Sequence, residues 1–523
     1  MRSIVIVGGG ISGLATAYFI QKQALASGVP ISCSLVESSP DFGGKIATRN
    51  PSGFVIEGGP DSILTQKPWA LDLCRELGLT DRLVGTNPSR QPTSVLVGNR
   101  LIPLPEGAML GVPTRFWPFI ASPLISWPGK LRMAFDLVIP PRRLSEDESV
   151  GDFIRRRLGR EAVEKIAEPL MAGIHVADPD RLSLRATFPR FAEMEQRHGS
   201  LIRGLRLSSA HKPTTAATSS PVNAGSPQPV PNGTSVTSDA SRPPATAFVS
   251  FREGMHELVD ALVARLHTVS RIHGRRVVQL ARRPAVDVAG APTRPDDARG
   301  RSGFVVQLDD GSSLYADAVV LATPAYVSAE LVASFNSSLA SDLSRIRYVS
   351  TATVSLGYRR ADVAHPLDGF GFVVPRGEKR KIVACTWAST KFDGRAPPEH
   401  VLIRAFAGGS RDESIVDLND GALIDAVRKE LDDVLGVTAK PVVGEVFRWR
   451  KGIPQYDVGH LDRIAALDEH LDQGLFLAGA AYRGVGVPDC IHGAEQVAEK
   501  AFRYLAAHQS VEPESTLSTG GGI

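Results

Sequence analysis

The chain has 523 residues, 43% hydrophobic and 22% charged, with 59 Lys and Arg against 56 Asp and Glu for a formal charge of +3. This is ordinary globular composition, with apolar material for a large core and, at about 100–200 residues per domain, length for more than one domain. It excludes wholesale disorder, a collagen-like fibre and a small disulfide scaffold, and the near-neutral balance gives no signal for nucleic acid or an acidic partner.

Along the chain, the opening run reaches glycine at Gly8, too soon for a secretory signal, so a cytoplasmic protein is expected. Ile4 to Val7 reads as a buried strand, Leu14 to Ala26 as a helix and Ile31 to Glu37 as a second strand, which predicts a right-handed parallel βαβ unit. Residues 116–129 are uncharged but broken by Pro118, Pro123 and Pro128, and fall short of the roughly 20 apolar residues that span a bilayer. Trp117, Phe119 and Trp127 beside Arg115, Lys130 and Arg132 leave two readings open, peripheral membrane contact or a Pro-rich pocket wall. Residues 149–206 are helical by pattern, with Ser149 as N-cap and Phe153, Leu158, Val163, Ile166 and Leu170 on the apolar face.

Residues 208–247 contain no Leu, Ile, Met or aromatic side chain and are expected to form a disordered insertion. Pro284 to Ser302 reads as a long hairpin connection. Phe304 to Leu308, the turn Asp309-Asp310-Gly311 and Leu314 to Ala322 follow as a hairpin, with Ala318 to Leu321 apolar enough for a buried sheet. Residues 351–357 and 401–407 are further strands, 421–435 is an amphipathic helix, and the polar end after Ala506 is expected to fray. Cys33, Cys74, Cys385 and Cys490 are scattered, without zinc spacing, so a reducing compartment and no metal are expected.

The strongest local signal is Gly8-Gly9-Gly10-Ile11-Ser12-Gly13, between a strand and a helix. In such a motif the first glycine permits a tight turn, the second admits a pyrophosphate close to the backbone, and the third lets helix and strand pack closely. Glu37 closes the next strand, where a carboxylate can accept hydrogen bonds from a ribose. The following Ser38 to Lys45, with the pair Gly43-Gly44, resembles the FAD-binding signature of the amine oxidase superfamily. Gly58-Gly59-Pro60-Asp61 resembles its flavin-passing segment, and Gly479-Ala480 through Val485-Gly486-Val487, with a helix from about Ile491, resembles its closing motif.

Within that superfamily the chain resembles the oxygen-dependent protoporphyrinogen/coproporphyrinogen III oxidases, on FVIEGGPDSILTQK, RLIPLPEGAMLGVP, EPLMAGIHVADPDRLSL, KIVACTW, FRWRKGIPQYDVGH and AYRGVGVPDCI. Gly59-Pro60-Asp61-Ser62 and Cys385-Thr386-Trp387 point to the soluble bacterial branch. The resemblance spans nearly the whole chain; the departures are the insertion, His175 where the family often carries an aromatic, and Asp178-Pro179.

The resemblance implies an α/β fold with α+β elements, in which a discontinuous Rossmann-like FAD domain is built from 1–95, 248–330 and 440–507. It implies a helical, possibly membrane-facing subdomain at 96–207 and a substrate-binding domain at 331–439, with 208–247 and 508–523 outside them. FAD would contact Gly8 to Gly13, Glu37, Ser38, Gly43, Gly44, Lys45, Gly58 to Asp61, Val277, Gly479, Ala480, Val485, Gly486 and Val487. Lys67, Phe370 and Gly371 would face the substrate. The implied reaction removes six electrons from a porphyrinogen in three two-electron steps, with oxygen as acceptor and hydrogen peroxide as product. Coproporphyrinogen III is preferred on branch resemblance and protoporphyrinogen IX is the alternative. An amine oxidase, a carotenoid desaturase and a non-catalytic module of the GDP-dissociation-inhibitor type stay open. No general base is singled out, and His175 and His492 are taken as structural.

Overall fold

A computed structural model describes residues 1–88, 93–105, 108–109, 112–113, 116–142, 146–210, 243–283 and 303–507. The greater part of the expected insertion, the connection 284–302 and the tail 508–523 lie outside them.

The apolar runs that read as buried strands assemble side by side. Val269–Ile272, Ile31–Val36, Arg2–Val7, Ala318–Leu321 and Leu475–Leu477 form a five-stranded parallel sheet in that order. Its strands come from both ends and the middle of the chain. Side chains alternate across it: Ile4, Ile6, Leu35 and Val320 pack under the helices Ile11–Ser27, His256–Arg265 and Val487–Ala507. Val5, Val7, Val36 and Val319 pack against Val277–Arg283, Gly303–Leu308 and Ser313–Ala316, a three-stranded antiparallel sheet. In that sheet Arg283 pairs with Gly303.

Two boundaries depart from expectation. Leu314 to Ala322 is not one strand but two, in different sheets, divided at Asp317. The Asp317 carboxylate accepts from the Arg2 guanidinium at 2.7 Å and from the Ser3 N–H at 2.8 Å, anchoring the crossing to the first strand. The last helix begins at Val487 rather than near Ile491, because Pro488 tolerates the first helical turn, where its missing N–H has no acceptor to lose.

A seven-stranded sheet forms the other half of the molecule, in the order Val443–Pro454, Tyr348–Arg359, His400–Gly408, Ile382–Trp387, Gly371–Val373, Ser94–Val97, Arg100–Pro103. Leu96, Phe372 and Cys385 bury one face under Asp420–Leu435. Val95, Val373 and Ala384 meet the helices of residues 150–206 on the other. The Ser149 hydroxyl caps Val150–Leu158 by accepting from the Asp152 N–H at 2.9 Å. Among the described residues no helix is long and apolar enough to cross a membrane.

Candidate flavin cleft and adjoining cavity

At the end of the first strand the chain turns on Gly8, whose φ of +106° is open to glycine and strained for other residues. The Gly9 N–H then donates to Glu37 Oε2 at 2.6 Å, while the Ser39 N–H donates to Oε1 at 2.7 Å. This holds the Glu37 carboxylate beside the turn with acceptor capacity to spare. Gly10 caps Ile11–Ser27 without a side-chain bond, so the first N–H groups of that helix are left for an acceptor from outside. A Cβ on Gly13 would fall 1.8 Å from Gly8 O, whereas one on Gly10 would meet nothing nearer than Gly44 Cα at 4.0 Å. Gly13 is closed by backbone; Gly10 opens into a cleft.

The other glycine segments line the same cleft. Gly43 bridges to Gly10 and donates to Gly9 O at 2.9 Å. A Cβ on Gly59 would fall 1.8 Å from Lys45 O, so the Gly58–Pro60 segment lies directly on the Gly43–Lys45 segment. The carbonyl of Gly58 accepts from Trp449 Nε1 at 2.8 Å and from the Thr353 hydroxyl at 3.1 Å, and that of Gly59 accepts from Arg404 at 2.6 Å. Strands of the large sheet thus fix this segment from behind. Burial would raise the Asp61 carboxyl, but Lys391, 3.0 Å away, and Arg404 hold it well below the usual carboxylate range.

Lys45 is exposed, yet desolvation by the protein packed around it holds its ammonium below the ordinary lysine range. The Cys490 thiol lies beside the Ser12 hydroxyl and is pushed up to about 11 by burial. The first turns of the first and last helices therefore meet at the cleft. Lys67 Nζ donates to both Asp489 carboxylate oxygens at 2.6 Å. Lys67, Asp489, Gly484 and Val485 also line a cavity with His175, Thr187, Gln455 and Tyr456.

Most expected site residues are thus brought together: Gly8 to Gly13, Glu37, Ser38, Gly43 to Lys45, Gly58 to Asp61, Lys67 and the segment from Gly479 to Val487. Val277 is buried at the start of its strand, two residues beyond Arg275, whose N–H donates to Glu37 O at 3.0 Å. Gly371 and Phe372 lie in the large sheet, where a Cβ on Gly371 would fall 1.9 Å from Cys385 O; the Phe370 carbonyl accepts from the Trp387 N–H.

His175, expected to be structural, lines the cavity, edge-on to Phe188 at 5.7 Å. Burial and then the Lys67 charge push its imidazole down to about 4. The departure from an aromatic at this position was the sequence signal for it. Trp449 and Tyr456 lie in the resemblance segment FRWRKGIPQYDVGH, which assigns them no role, and no motif points to Arg404 or Thr353. His492 stacks on Trp69 with ring centroids 4.1 Å apart, and Arg483 pairs with Asp468.

A flavin dinucleotide fits this donor set. An open helix N-terminus and Lys45, without an ion pair among the described residues, suit a diphosphate, the Glu37 carboxylate suits a ribose diol, and the space beside Gly10 is one that a methyl group would fill. The sequence profile of the flavin containing amine oxidoreductases matches residues 11–501. The chain is 37% identical to the coproporphyrinogen III oxidase of Propionibacterium freudenreichii subsp. freudenreichii, over 99% of this chain and 94% of that one. It is 35% identical to the coproporphyrinogen III oxidase of Bacillus subtilis (strain 168), over 96% and 98%. A crystal structure of an Exiguobacterium sp. 255-15 protein superposes with a TM-score of 0.79 at 31% identity, over 96% and 99%. The chain belongs to the flavin containing amine oxidoreductase family, and its cofactor is FAD.

Proposed function

We propose that this chain oxidises coproporphyrinogen III to coproporphyrin III with oxygen as acceptor. The observation that carries the reading is the cavity opening beside Val485 and the Lys67–Asp489 pair, in a chain aligned nearly end to end with two coproporphyrinogen III oxidases. Bound FAD supplies a hydride acceptor that oxygen can reoxidise. Six electrons and six protons leaving the macrocycle reduce three dioxygen molecules to three of hydrogen peroxide.

The chain's own task is positioning. Gly10, Ser12 and Lys45 hold the diphosphate, Glu37 and Ser38 the ribose, and Gly58 to Asp61 with Gly479 to Val487 border the ring system. Leu182, Ala186, Pro454 and Val485 give the cavity apolar walls suited to macrocycle faces. Lys67 spends two of its three N–H donors on Asp489, which leaves one for a propionate. Neutral His175 adds no charge to compete with it.

The domain division follows the same reading, FAD-binding 1–95, 248–330 and 440–507, helical 96–207 and substrate-facing 331–439, except that the strands Ser94–Val97, Arg100–Pro103 and Val443–Pro454 belong to the large sheet and so go with the substrate-facing part. Peripheral membrane contact is assigned to the exposed apolar stripe Trp127, Leu131, Phe135 and Val138.

The test is a side-by-side assay of the yellow purified protein on coproporphyrinogen III and protoporphyrinogen IX, following porphyrin fluorescence and oxygen uptake. Coproporphyrin should form faster, with three oxygens consumed per porphyrin. Preference for protoporphyrinogen reverses the substrate, and inactivity on both removes the reading.

A further inference from the structure

The loop from Leu475–Leu477 to the last helix is gripped by side chains of one short segment. The Tyr456 hydroxyl donates to Ala480 O at 2.8 Å and accepts from the Gly484 N–H at 2.6 Å, so a single oxygen spans the loop. The Tyr456 ring stacks on the imidazole of His460, with centroids 3.8 Å apart and planes 12° from parallel. His460 Nε2 lies 3.0 Å from Tyr482 O. A carbonyl only accepts, so Nε2 carries the proton, and His460 Nδ1 is buried with no partner among the described residues. Burial pushes this imidazole down to about 4, which keeps it neutral. Alternate residues 480, 482 and 484 are thus held by two stacked rings, 6% and 0% exposed.

The loop needs such a grip. Gly484 sits at φ +144°, and a Cβ there would fall 2.4 Å from Asp489 Cβ, so the backbone follows a path open to glycine alone. Glycine is also free to leave that path, and here its N–H is tied to the Tyr456 hydroxyl. Val485, Gly486 and Val487 follow directly, and Tyr456 itself lines the cavity.

We propose that Tyr456, stacked on His460, is a positioning residue for FAD, setting the loop Ala480–Gly484 in the shape that receives the flavin ring. The proposal rests on the reading of Gly479 to Val487 as flavin-facing. Without the hydroxyl, Ala480 O and the Gly484 N–H lose their partner, and part of that cost reappears in cofactor affinity.

The experiment compares wild type, Tyr456→Phe, His460→Gln and His460→Leu, each as purified holoprotein and after removal and titration of FAD. Tyr456→Phe should weaken FAD binding about tenfold and shift the visible absorption bands of the bound flavin. His460→Gln, which can keep a donor near Tyr482 O, should stay near wild type, whereas His460→Leu should weaken binding. The histidine pair carries the test if Tyr456→Phe does not fold, and equal affinity in that pair overturns the proposal. A lowered thermal midpoint with unchanged FAD affinity and spectrum marks a merely structural tyrosine and also overturns it. A wild-type chain that binds no FAD overturns the flavin reading and this proposal with it. FAD bound equally tightly by wild type, Tyr456→Phe and His460→Leu overturns this proposal alone.

Discussion

At position 13 a methyl group has nowhere to go. Its carbon would overlap Gly8 O, a backbone atom that can move only if helix and strand part. Gly13→Ala is therefore expected to destabilise the apoprotein by about 2–4 kcal/mol and to lose flavin as a consequence. Gly10→Ala meets open space and keeps an ordinary φ of −71°. As a change at a helix N-cap it should cost less than about 1 kcal/mol, yet fill the cleft and strip flavin from a stably folded chain. Thermal unfolding and the ratio of flavin to protein absorbance separate the two variants. A Gly10→Ala protein with a full complement of flavin would remove Gly10 from the cradle. These glycines were legible because the motif encodes backbone approach within a few residues. Arg404 and Trp449 were not, because they reach the carbonyls of Gly59 and Gly58 from 345 and 391 residues away.

Elements were readable where their pattern is local and blurred where a side chain from elsewhere decides the boundary. The helix Asp420–Leu435 shows its period in its own residues. The break at Asp317 is set by Arg2 and Ser3, which only the folded sheet brings near. The segment 456–460 is a case of the second kind, since its two rings are explained by a loop some 20 residues further on. It also has a pH signature. His460 is pushed down to about 4 in the folded chain and titrates near 6.5 when unfolded. Between these values the unfolded state binds the extra proton, so stability falls as pH drops from 6.5 towards 4 and flattens below. His175 contributes in the same direction over the same window. Each histidine changes the unfolding constant by up to tenfold per pH unit. Between pH 6.5 and 5, where ordinary carboxylates stay ionised, His460→Gln should reduce the slope by up to one proton. Denaturant unfolding at several pH values measures it, and an unchanged slope would show that His460 is not held neutral.

On the scale of the whole molecule, two glycine motifs from opposite ends of the sequence meet because the first and last strands lie on either side of Ala318–Leu321 in one sheet. The motifs could be read separately, but the meeting of Ser12 with Cys490 and of Lys67 with Asp489 required the fold. The large sheet holds the Gly58–Gly59 carbonyls from Thr353 and Arg404, on the same face that carries Val373, Ala384 and Phe406 under the helices of residues 150–206. Those helices leave one apolar face uncovered. Trp127, Leu131, Phe135 and Val138 are 70%, 66%, 51% and 71% exposed and follow at intervals of four, four and three, along one side of Trp127–Ala134 and the turn after it. Lys130 Nζ lies 4.6 Å from the centre of the Trp127 ring, so the stripe carries a cation at its edge. Apolar side chains flanked by a cation suit the interface of an anionic bilayer, into which such a face inserts without spanning it. The protein should co-sediment with phosphatidylglycerol-containing vesicles more than with neutral ones, and Trp127→Ser with Leu131→Ser should return most of it to the supernatant. Because Trp127 and Leu131 are exposed and line neither the glycine cleft nor the cavity, the double variant should keep its flavin. Wild-type protein left in the supernatant with both vesicle types would rule out a lipid-facing role for this surface.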